Sequence, residues 1–190
     1  MAHIYSIPDT AKQITEYSIN NIPGVFDGNT IAVTMPAGTN NFTSLRANFE
    51  TTSEKATVTV NGVLQISGST RNDFSNPVEY VVTAEDESTN TYTVIVEEEI
   101  GFLSYGFEQL LPPVYASVSG YDLTVLVLQG TPVDSLVASF VTTSQNPTVK
   151  IGDLEQTSGI TLNDFSKPLI YTLEADNKSV DYTIRVTVIK

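Results

Sequence analysis

Three consecutive glutamates, Glu97–Glu99, are the feature of this sequence that comes nearest to a metal site. Ca²⁺ takes several oxygen ligands, mostly from carboxylates, and Glu97, Glu99 and the more distant Asp164 could supply them. Successive residues of an extended strand point to opposite faces, so the glutamates converge on one ion only where the chain bends. No Asp-rich ligand run accompanies them. We therefore predict no metal or cofactor, with Ca²⁺ at these three residues as the alternative.

Catalytic side chains are scarce. The sequence has one histidine, His3, and no cysteine, so neither a His-based triad nor a His- or Cys-rich metal site can be assembled. Phosphate-binding Gly-Lys loops and the HExxH motif are absent. A pair of carboxylates could hydrolyse glycosides, but the acidic residues fall mostly in loops and at outward strand positions. We predict that the protein is not an enzyme.

Aromatic rings are the remaining candidates for ligand binding. There are nine tyrosines and no tryptophan. Most of the tyrosines occupy inward positions of an alternating pattern, which leaves Tyr5, Tyr115 and Tyr121 as exposed candidates for binding a partner. Tyr115 lies in an insertion of four residues around Leu110–Tyr115 in the second copy, and insertions into a repeated scaffold are where individual functions arise. These three tyrosines are the predicted partner-binding residues, with protein or glycan as the ligand.

The charge balance excludes other partners. Nine basic residues against 22 acidic ones give a net charge of −13, which repels phosphate backbones and anionic lipids. No run of about 18 apolar residues is present, and the N-terminus lacks the basic and apolar segments of a secretion signal. We expect neither nucleic-acid binding nor direct membrane insertion.

The elements that carry these residues come in two copies. Asn72–Pro77 (NDFSNP) returns as Asn163–Pro168 (NDFSKP), an offset of 91 residues (163 − 72). Between residues 45–88 and 136–179, the alignment has no gap and 20 of 44 positions are identical. Self-similarity at a fixed period indicates repeated folding units. We predict an N-terminal arm over residues 1–12, a first domain over 13–98 and a second over 99–190.

Within each copy the apolar residues alternate with period two, as in Tyr92, Val94 and Val96. This pattern is typical of half-buried antiparallel strands. Asn61-Gly62 suits a two-residue hairpin turn, and Pro112-Pro113 indicates a loop or a sheet edge. About seven such strands in some 90 residues predict an all-β fold, with two tandem immunoglobulin-like antiparallel β-sandwich domains. In the repeated motif, Asn and Asp are expected to form a turn and Phe to close one end of the sandwich.

The run DFSNPVEYVVTAEDESTNTYTVIV, from Asp73 to Val96, follows a Thr51-Thr52-Ser53 segment and a Ser-Gly turn. These residues resemble the cadherin-like and immunoglobulin-like repeats of Bacteroidetes surface proteins and lipoproteins. The match is looser from Asp164 to Val186, where the Thr-Ala-Glu-Asp core is changed. The resemblance implies a spacer, stalk or accessory module beside adhesive or glycan-handling units.

Two settings follow from these observations. A start at Met1 without a secretion signal favours a phage virion protein, such as a capsid decoration or tail accessory protein, whose arm docks to a capsid or tail partner. The resemblance favours a bacterial cell-surface or secreted module that acts as a spacer or in adhesion, with a cell-surface component or a glycan as its partner. The sequence-based expectation is a structural display protein at the virion surface, with the cell-surface module as the alternative.

Overall fold

The computed structural model describes residues 7–190, so His3 and Tyr5 lie outside the described residues. The chain divides into two compact units between Glu98 and Glu99, and the described residues form strands and turns without a helix. Each unit has its own cluster of buried apolar side chains. The prediction of an all-β fold with two tandem immunoglobulin-like sandwiches is confirmed.

Domain 1 consists of a four-stranded sheet, in the order β2-β1-β5-β8, and a six-stranded sheet, in the order β3-β4-β10-β9-β6-β7. Its strands are β1 (Ile14–Ile19), β2 (Ile22–Pro23), β3 (Val25–Asp27), β4 (Thr30–Met35), β5 (Leu45–Thr51), β6 (Thr57–Val60), β7 (Val63–Leu64), β8 (Arg71–Asn72), β9 (Val78–Thr83) and β10 (Thr89–Glu98).

Domain 2 repeats this plan, with its first sheet divided into the orders β12-β11-β16 and β15-β19 and its second in the order β13-β14-β21-β20-β17-β18. Its strands are β11 (Phe102–Phe107), β12 (Val114–Tyr115), β13 (Ser117–Ser119), β14 (Asp122–Leu128), β15 (Leu136–Val137), β16 (Ser139–Thr142), β17 (Thr148–Ile151), β18 (Leu154–Glu155), β19 (Leu162–Asn163), β20 (Leu169–Ala175) and β21 (Lys178–Ile189).

One strand pair in each domain is parallel, which the sequence analysis did not anticipate. β10 pairs with β4, and β21 pairs with β14, over six and seven residue pairs respectively. The other pairs are antiparallel. Alternation of apolar residues reports which face of a strand is buried, but it is the same for either strand direction. The direction follows only from the route of the chain between the two strands.

The local turn predictions agree with the structure. Asn61 and Gly62 have φ of 50° and 76°, and they join β6 to β7 with Val60 opposite Val63. Both residues are therefore left-handed, as a type I′ turn requires. The segment after Pro112-Pro113 forms β12, which lies at the edge of its sheet.

The repeated Asn of NDFSNP is the centre of a partly buried hydrogen-bond network. Asn72 Nδ2 donates to Gln65 Oε1 at 2.8 Å and to the Tyr80 hydroxyl at 3.1 Å. Gln65 is buried, and its Nε2 donates to the Val63 carbonyl. The network therefore ties β7 and β8 to the fully buried Tyr80 of β9. A polar group inside a core is tolerated when each of its atoms finds such a partner.

Domain 2 contains the same network at the aligned positions. Asn163 Nδ2 donates to Gln156 Oε1 at 2.7 Å and to the Tyr171 hydroxyl at 3.2 Å. Gln156 Nε2 donates to the Leu154 carbonyl. The motif thus has a structural role in both copies, and that role is more specific than the turn expected from the sequence.

The remaining residues of the motif close the sandwich as predicted. Asp73 Oδ1 accepts a hydrogen bond from the Ser75 backbone N–H, and bonds from the side chain and backbone of Ser75 lower the pKa of Asp73. Phe74 is buried, and its backbone N–H donates to the Phe42 carbonyl. Asp164, Phe165 and Ser166 repeat the turn and the buried ring.

The described end of the N-terminal arm is attached to domain 1. The Asp9 N–H donates to Glu85 Oε2, the Asp86 N–H donates to the Asp9 carbonyl, and Lys12 Nζ donates to Ser88 Oγ at 2.6 Å. Residues 9–12 are thus held by the turn between β9 and β10. Docking of the arm to a capsid or tail partner stays a prediction.

Replacing Asn72 by alanine should destabilise domain 1 by about 1–3 kcal/mol, because the substitution leaves Gln65 Oε1 and the Tyr80 hydroxyl buried without their donor. Chemical denaturation of the whole chain measures the loss. The matched control is Asn76→Ala, at an exposed position of the same motif that is Lys167 in domain 2; its effect should stay within about 0.5 kcal/mol. Equal effects of the two substitutions would contradict the role assigned to Asn72.

Alkali should unfold the protein through its buried tyrosines. Burial raises the pKa of Tyr171 to about 12, and burial together with Glu99 and Tyr121 raises the pKa of Tyr182 to about 12. The folded state favours the protonated phenol, so its stabilising contribution is complete below pH 10 and is lost between about pH 10 and 12. An ultraviolet titration should show exposed tyrosines ionising first and the buried ones with unfolding. Ionisation of all nine tyrosines near pH 10 in the folded protein would contradict this.

Candidate functional site

A groove on one side of domain 1 has mixed polar and apolar walls. Its volume is about 570 Å³. Hydroxyl, amide and carboxylate side chains share the lining with apolar and aromatic surface. The lining residues are Thr15, Glu16, Tyr17, Ser18, Pro23, Gly24, Phe26, Asn48, Phe49, Glu50 and Ser67.

The polar wall of the groove is the outer face of the β1–β5 pair. Antiparallel pairing sets Glu16 opposite Glu50 and Ser18 opposite Asn48. Directly opposed residues of an antiparallel pair share a face. Tyr17 and Phe49 are also directly opposed, and they point into the sandwich. The alternation that buries these two rings therefore places the polar residues beside them in the groove.

The apolar wall comes from the chain that leaves β1. Gly24 lies so close to the core that a Cβ there would be 2.5 Å from Ile31 Cγ2, and its N–H donates to the Tyr17 carbonyl. This close approach brings Pro23 and Phe26 to the rim of the groove. Phe26 is 38 % exposed, and its ring meets the buried Tyr92 edge-on at 6.4 Å between centroids. Phe26 is thus a supported aromatic surface that still faces solvent.

The groove is acidic and lacks a counter-ion. The side chains of Glu16 and Glu50 are exposed, and neither forms a hydrogen bond or ion pair with any residue in the described range 7–190. Two uncompensated carboxylates, set opposite each other on one face, accept hydrogen bonds from hydroxyl groups and repel anions. The Ser67 hydroxyl accepts a hydrogen bond from the Phe49 N–H at 2.8 Å, and within residues 7–190 its own hydrogen is not donated to another group.

The equivalent surface of domain 2 has different chemistry. Ser104 is opposite Val141, and Gly106 is opposite both Ser139 and Tyr115. Ser104 and Val141 align with Glu16 and Glu50 of domain 1. Tyr115, Gly106 and Ser139 align with Pro23, Ser18 and Asn48, which lie side by side across neighbouring strands. Carboxylates are replaced by serine and valine, and an exposed tyrosine replaces Pro23.

The predicted partner-binding tyrosines have separate environments. Tyr115 is 57 % exposed and lies over Gly106 in domain 2. Tyr121 is 52 % exposed, but its hydroxyl donates to Glu99 Oε1 at 2.5 Å and its ring meets Tyr182 edge-on. The hydrogen bond and charge of Glu99 raise the pKa of Tyr121. Tyr5 lies outside the described residues.

Two of the three candidate calcium ligands accept hydrogen bonds within domain 2. Glu99 accepts the Tyr121 hydroxyl, and Asp164 accepts the Ser166 N–H. Glu97 belongs to β10 of domain 1, whereas Asp164 belongs to domain 2. Within residues 7–190, no group of three or more histidine, aspartate or glutamate side chains is placed to hold a metal ion.

Sequence reasoning missed the groove of domain 1. Glu16 and Glu50 are 34 residues apart in sequence (50 − 16), and only the register of β1 against β5 brings them together. The available signal was the break in alternation at Thr15 and Glu16, two successive exposed residues at a β-bulge. Bulges re-aim side chains and are frequent next to functional sites.

Solved structures with related arrangements share little sequence with this chain. A Bacteroides thetaiotaomicron protein described as a candidate glycoside hydrolase has 14 % identity and a TM-score of 0.40, over 95 % of this chain and 84 % of that one. The titin I9–I11 tandem has 11 % identity and a TM-score of 0.25, over 83 % and 64 %. The titin Z1Z2 domains, solved with telethonin, have 13 % identity and a TM-score of 0.26, over 94 % and 100 %.

No curated protein matches the chain. In the described residues, no helix is long and apolar enough to cross a membrane. Residues 14–96, nearly the whole of domain 1, match the family described as "SGBP, N-terminal". The immunoglobulin-like part of the resemblance is supported, whereas its cadherin-like part stays a prediction. Domain 1 is similar to a Bacteroidetes surface β-sandwich module of the SGBP type.

Proposed function

We propose that the chain is a non-catalytic module of a bacterial surface glycan-binding protein, and that domain 1 holds a neutral glycan in its groove. The observation that carries the proposal is the position of the groove inside residues 14–96, the segment similar to the surface glycan-binding family. The comparisons support the cell-surface alternative rather than a capsid or tail protein. Binding to a protein partner stays a prediction.

The chemistry of the groove suits a sugar chain. A pyranose presents hydroxyl donors at its edge and C–H groups on its faces. Glu16 and Glu50 accept from hydroxyl groups, Asn48 both donates and accepts, and the exposed part of Phe26 offers an apolar surface. The volume of about 570 Å³ lies within the usual range for small-ligand sites.

The charge of the groove selects the class of glycan. The whole chain carries a net charge of −13, and the groove adds two carboxylates without a cationic partner. Uronate or sulfate groups would therefore meet repulsion from the groove and from the protein as a whole. Neutral hexose or pentose chains keep the hydroxyl contacts without this cost.

Catalysis is not required by this arrangement. A glycosidase needs one carboxyl group kept protonated by an apolar environment, as well as a second, ionised one. Glu16 and Glu50 are both exposed at the mouth of an open groove.

Incubation of the protein with a polysaccharide that it binds should therefore release no reducing ends. A rise in reducing ends that E50A abolishes would show the proposal to be wrong.

Replacing Glu50 by alanine should weaken binding of a neutral oligosaccharide about tenfold or more, because a hydrogen bond to a charged acceptor contributes roughly 1.5–3 kcal/mol. Isothermal titration calorimetry with neutral and anionic polysaccharides measures the effect. Phe26→Ala should weaken binding by a smaller factor, since it removes apolar contact alone.

The matched control for E50A is Glu79→Ala, because Glu79 is an exposed strand glutamate on the other sheet of the same domain. Its removal changes the net charge equally and leaves the groove intact. Equal affinities of E50A and E79A would exclude the groove as the binding site. Preference of the unmodified chain for anionic polysaccharides would exclude the neutral class.

A further inference from the structure

We propose that Tyr115 of domain 2 is a second sugar-binding platform, on which a pyranose ring stacks, and that Gly106 gives this platform its shape. The inference rests on the proposed function, since it assigns a second site for the same class of ligand. It starts from Gly106 of β11, a glycine without positive φ at which the neighbouring strand leaves no room for a Cβ.

Gly106 occupies the interior of β11, where glycine is normally unfavourable because it lacks a side chain to pack and loses more conformational freedom on folding. It is not among the glycines with positive φ. Its requirement is steric. A Cβ at Gly106 would be 2.3 Å from the Val114 carbonyl oxygen and 2.8 Å from Tyr115 Cδ1. The aligned residue in domain 1 is Ser18, which faces Pro23 instead of an aromatic ring.

The missing Cβ therefore lets the Tyr115 ring settle against the strand. Gly106 is directly opposite Tyr115 on one side and Ser139 on the other, so the three residues form a row across the outer face of the sheet. The Tyr115 ring comes close enough to occupy the space of a Gly106 Cβ, and 57 % of the residue remains exposed. Gly106 itself is buried, so the flat ring of Tyr115 is the exposed part of the row to which another ring can be applied.

The Tyr115 phenol forms no hydrogen bond or aromatic contact that would stabilise the described part of the fold. Within residues 7–190, the Tyr115 hydroxyl has no hydrogen-bond partner and its ring contacts no other aromatic ring. The other exposed tyrosine, Tyr121, is held by Glu99 and Tyr182. The buried Tyr105 and Tyr171 meet edge-on at 5.4 Å in the core. Tyr115 thus differs from the tyrosines that the sandwich needs for packing.

The surroundings of the ring favour a sugar over a wholly apolar partner. Ser104 and Val141 form the next row of the same face, and Ser139 ends the row of Tyr115. Hydroxyl groups thus alternate with C–H surface around the ring, and these rows hold no charged side chain. Aromatic faces attract the C–H groups of a pyranose, and the serine side chains can form hydrogen bonds with its hydroxyl groups.

The test is calorimetric titration of the full chain with a short neutral oligosaccharide. The unmodified protein should bind about two ligands per chain, whereas Tyr115→Ala and Glu50→Ala should each retain about one. The matched control is Tyr121→Ala, an equally exposed tyrosine of domain 2, which should keep both sites. Tyr115→Phe should also keep both, because stacking needs the ring and not the hydroxyl.

A measurement on the unmodified protein tests the inference even if the Tyr115→Ala variant misfolds. The amide resonance of Gly106 lies beneath the platform and should shift on titration with the oligosaccharide, in a manner independent of Glu50. One site per chain, lost in E50A and unchanged in Y115A, would overturn this inference and leave the proposed function standing. No binding of any neutral glycan by the unmodified chain would overturn both.

Discussion

The hydrogen bonds from Asn72 to Gln65 and Tyr80 are the constraint on which domain 1 depends. They join a short edge strand and a turn to a tyrosine at the centre of the core. Around that tyrosine, Tyr17, Phe49 and Phe74 pack at centroid distances of 5.4 to 6.5 Å. A polar group buried this deeply is costly unless it is paired, so the network admits one arrangement of these segments and penalises others.

Domain 2 meets the same constraint with the same residue types. Asn163, Gln156 and Tyr171 take the equivalent places, and Tyr171 is surrounded by Phe102, Tyr105 and Phe140. The repeated sequence and the repeated interior therefore describe one solution to the packing of a small sandwich without disulfides. Because the interior is fixed by packing, differences between the domains are tolerated at outward positions, where substitutions cost little. The outer faces of β1–β5 and β11–β16 are such positions, and each domain presents its own chemistry there.

Much of this architecture was open to prediction, because the responsible interactions are local. Alternation assigned Tyr92, Val94 and Val96 to the interior, where all three are buried. The preference of Asn61 and Gly62 for left-handed backbone conformations was enough to predict the turn between β6 and β7. The residue types of Asp73 and Phe74 predicted a turn and a ring that closes one end of the sandwich. The exposure of Tyr115 followed from its position in an insertion that the first copy lacks. The parallel pairing of β4 with β10 was not predicted, since the side-chain period is the same in both directions.

The candidate sites likewise combine features that the sequence determines with features that depend on the tertiary structure. The sequence by itself determined two all-β domains, the burial of their alternating residues, an acidic surface and an exposed Tyr115. Only the tertiary structure decided that Glu16 lies opposite Glu50, that Asn72 reaches Tyr80, and that Gly106 lies opposite Tyr115. The physical reason is that strand register sets these pairs, and register depends on contacts between residues far apart in the chain. A periodic pattern fixes the face of each residue, but it leaves the neighbour across the strand undetermined.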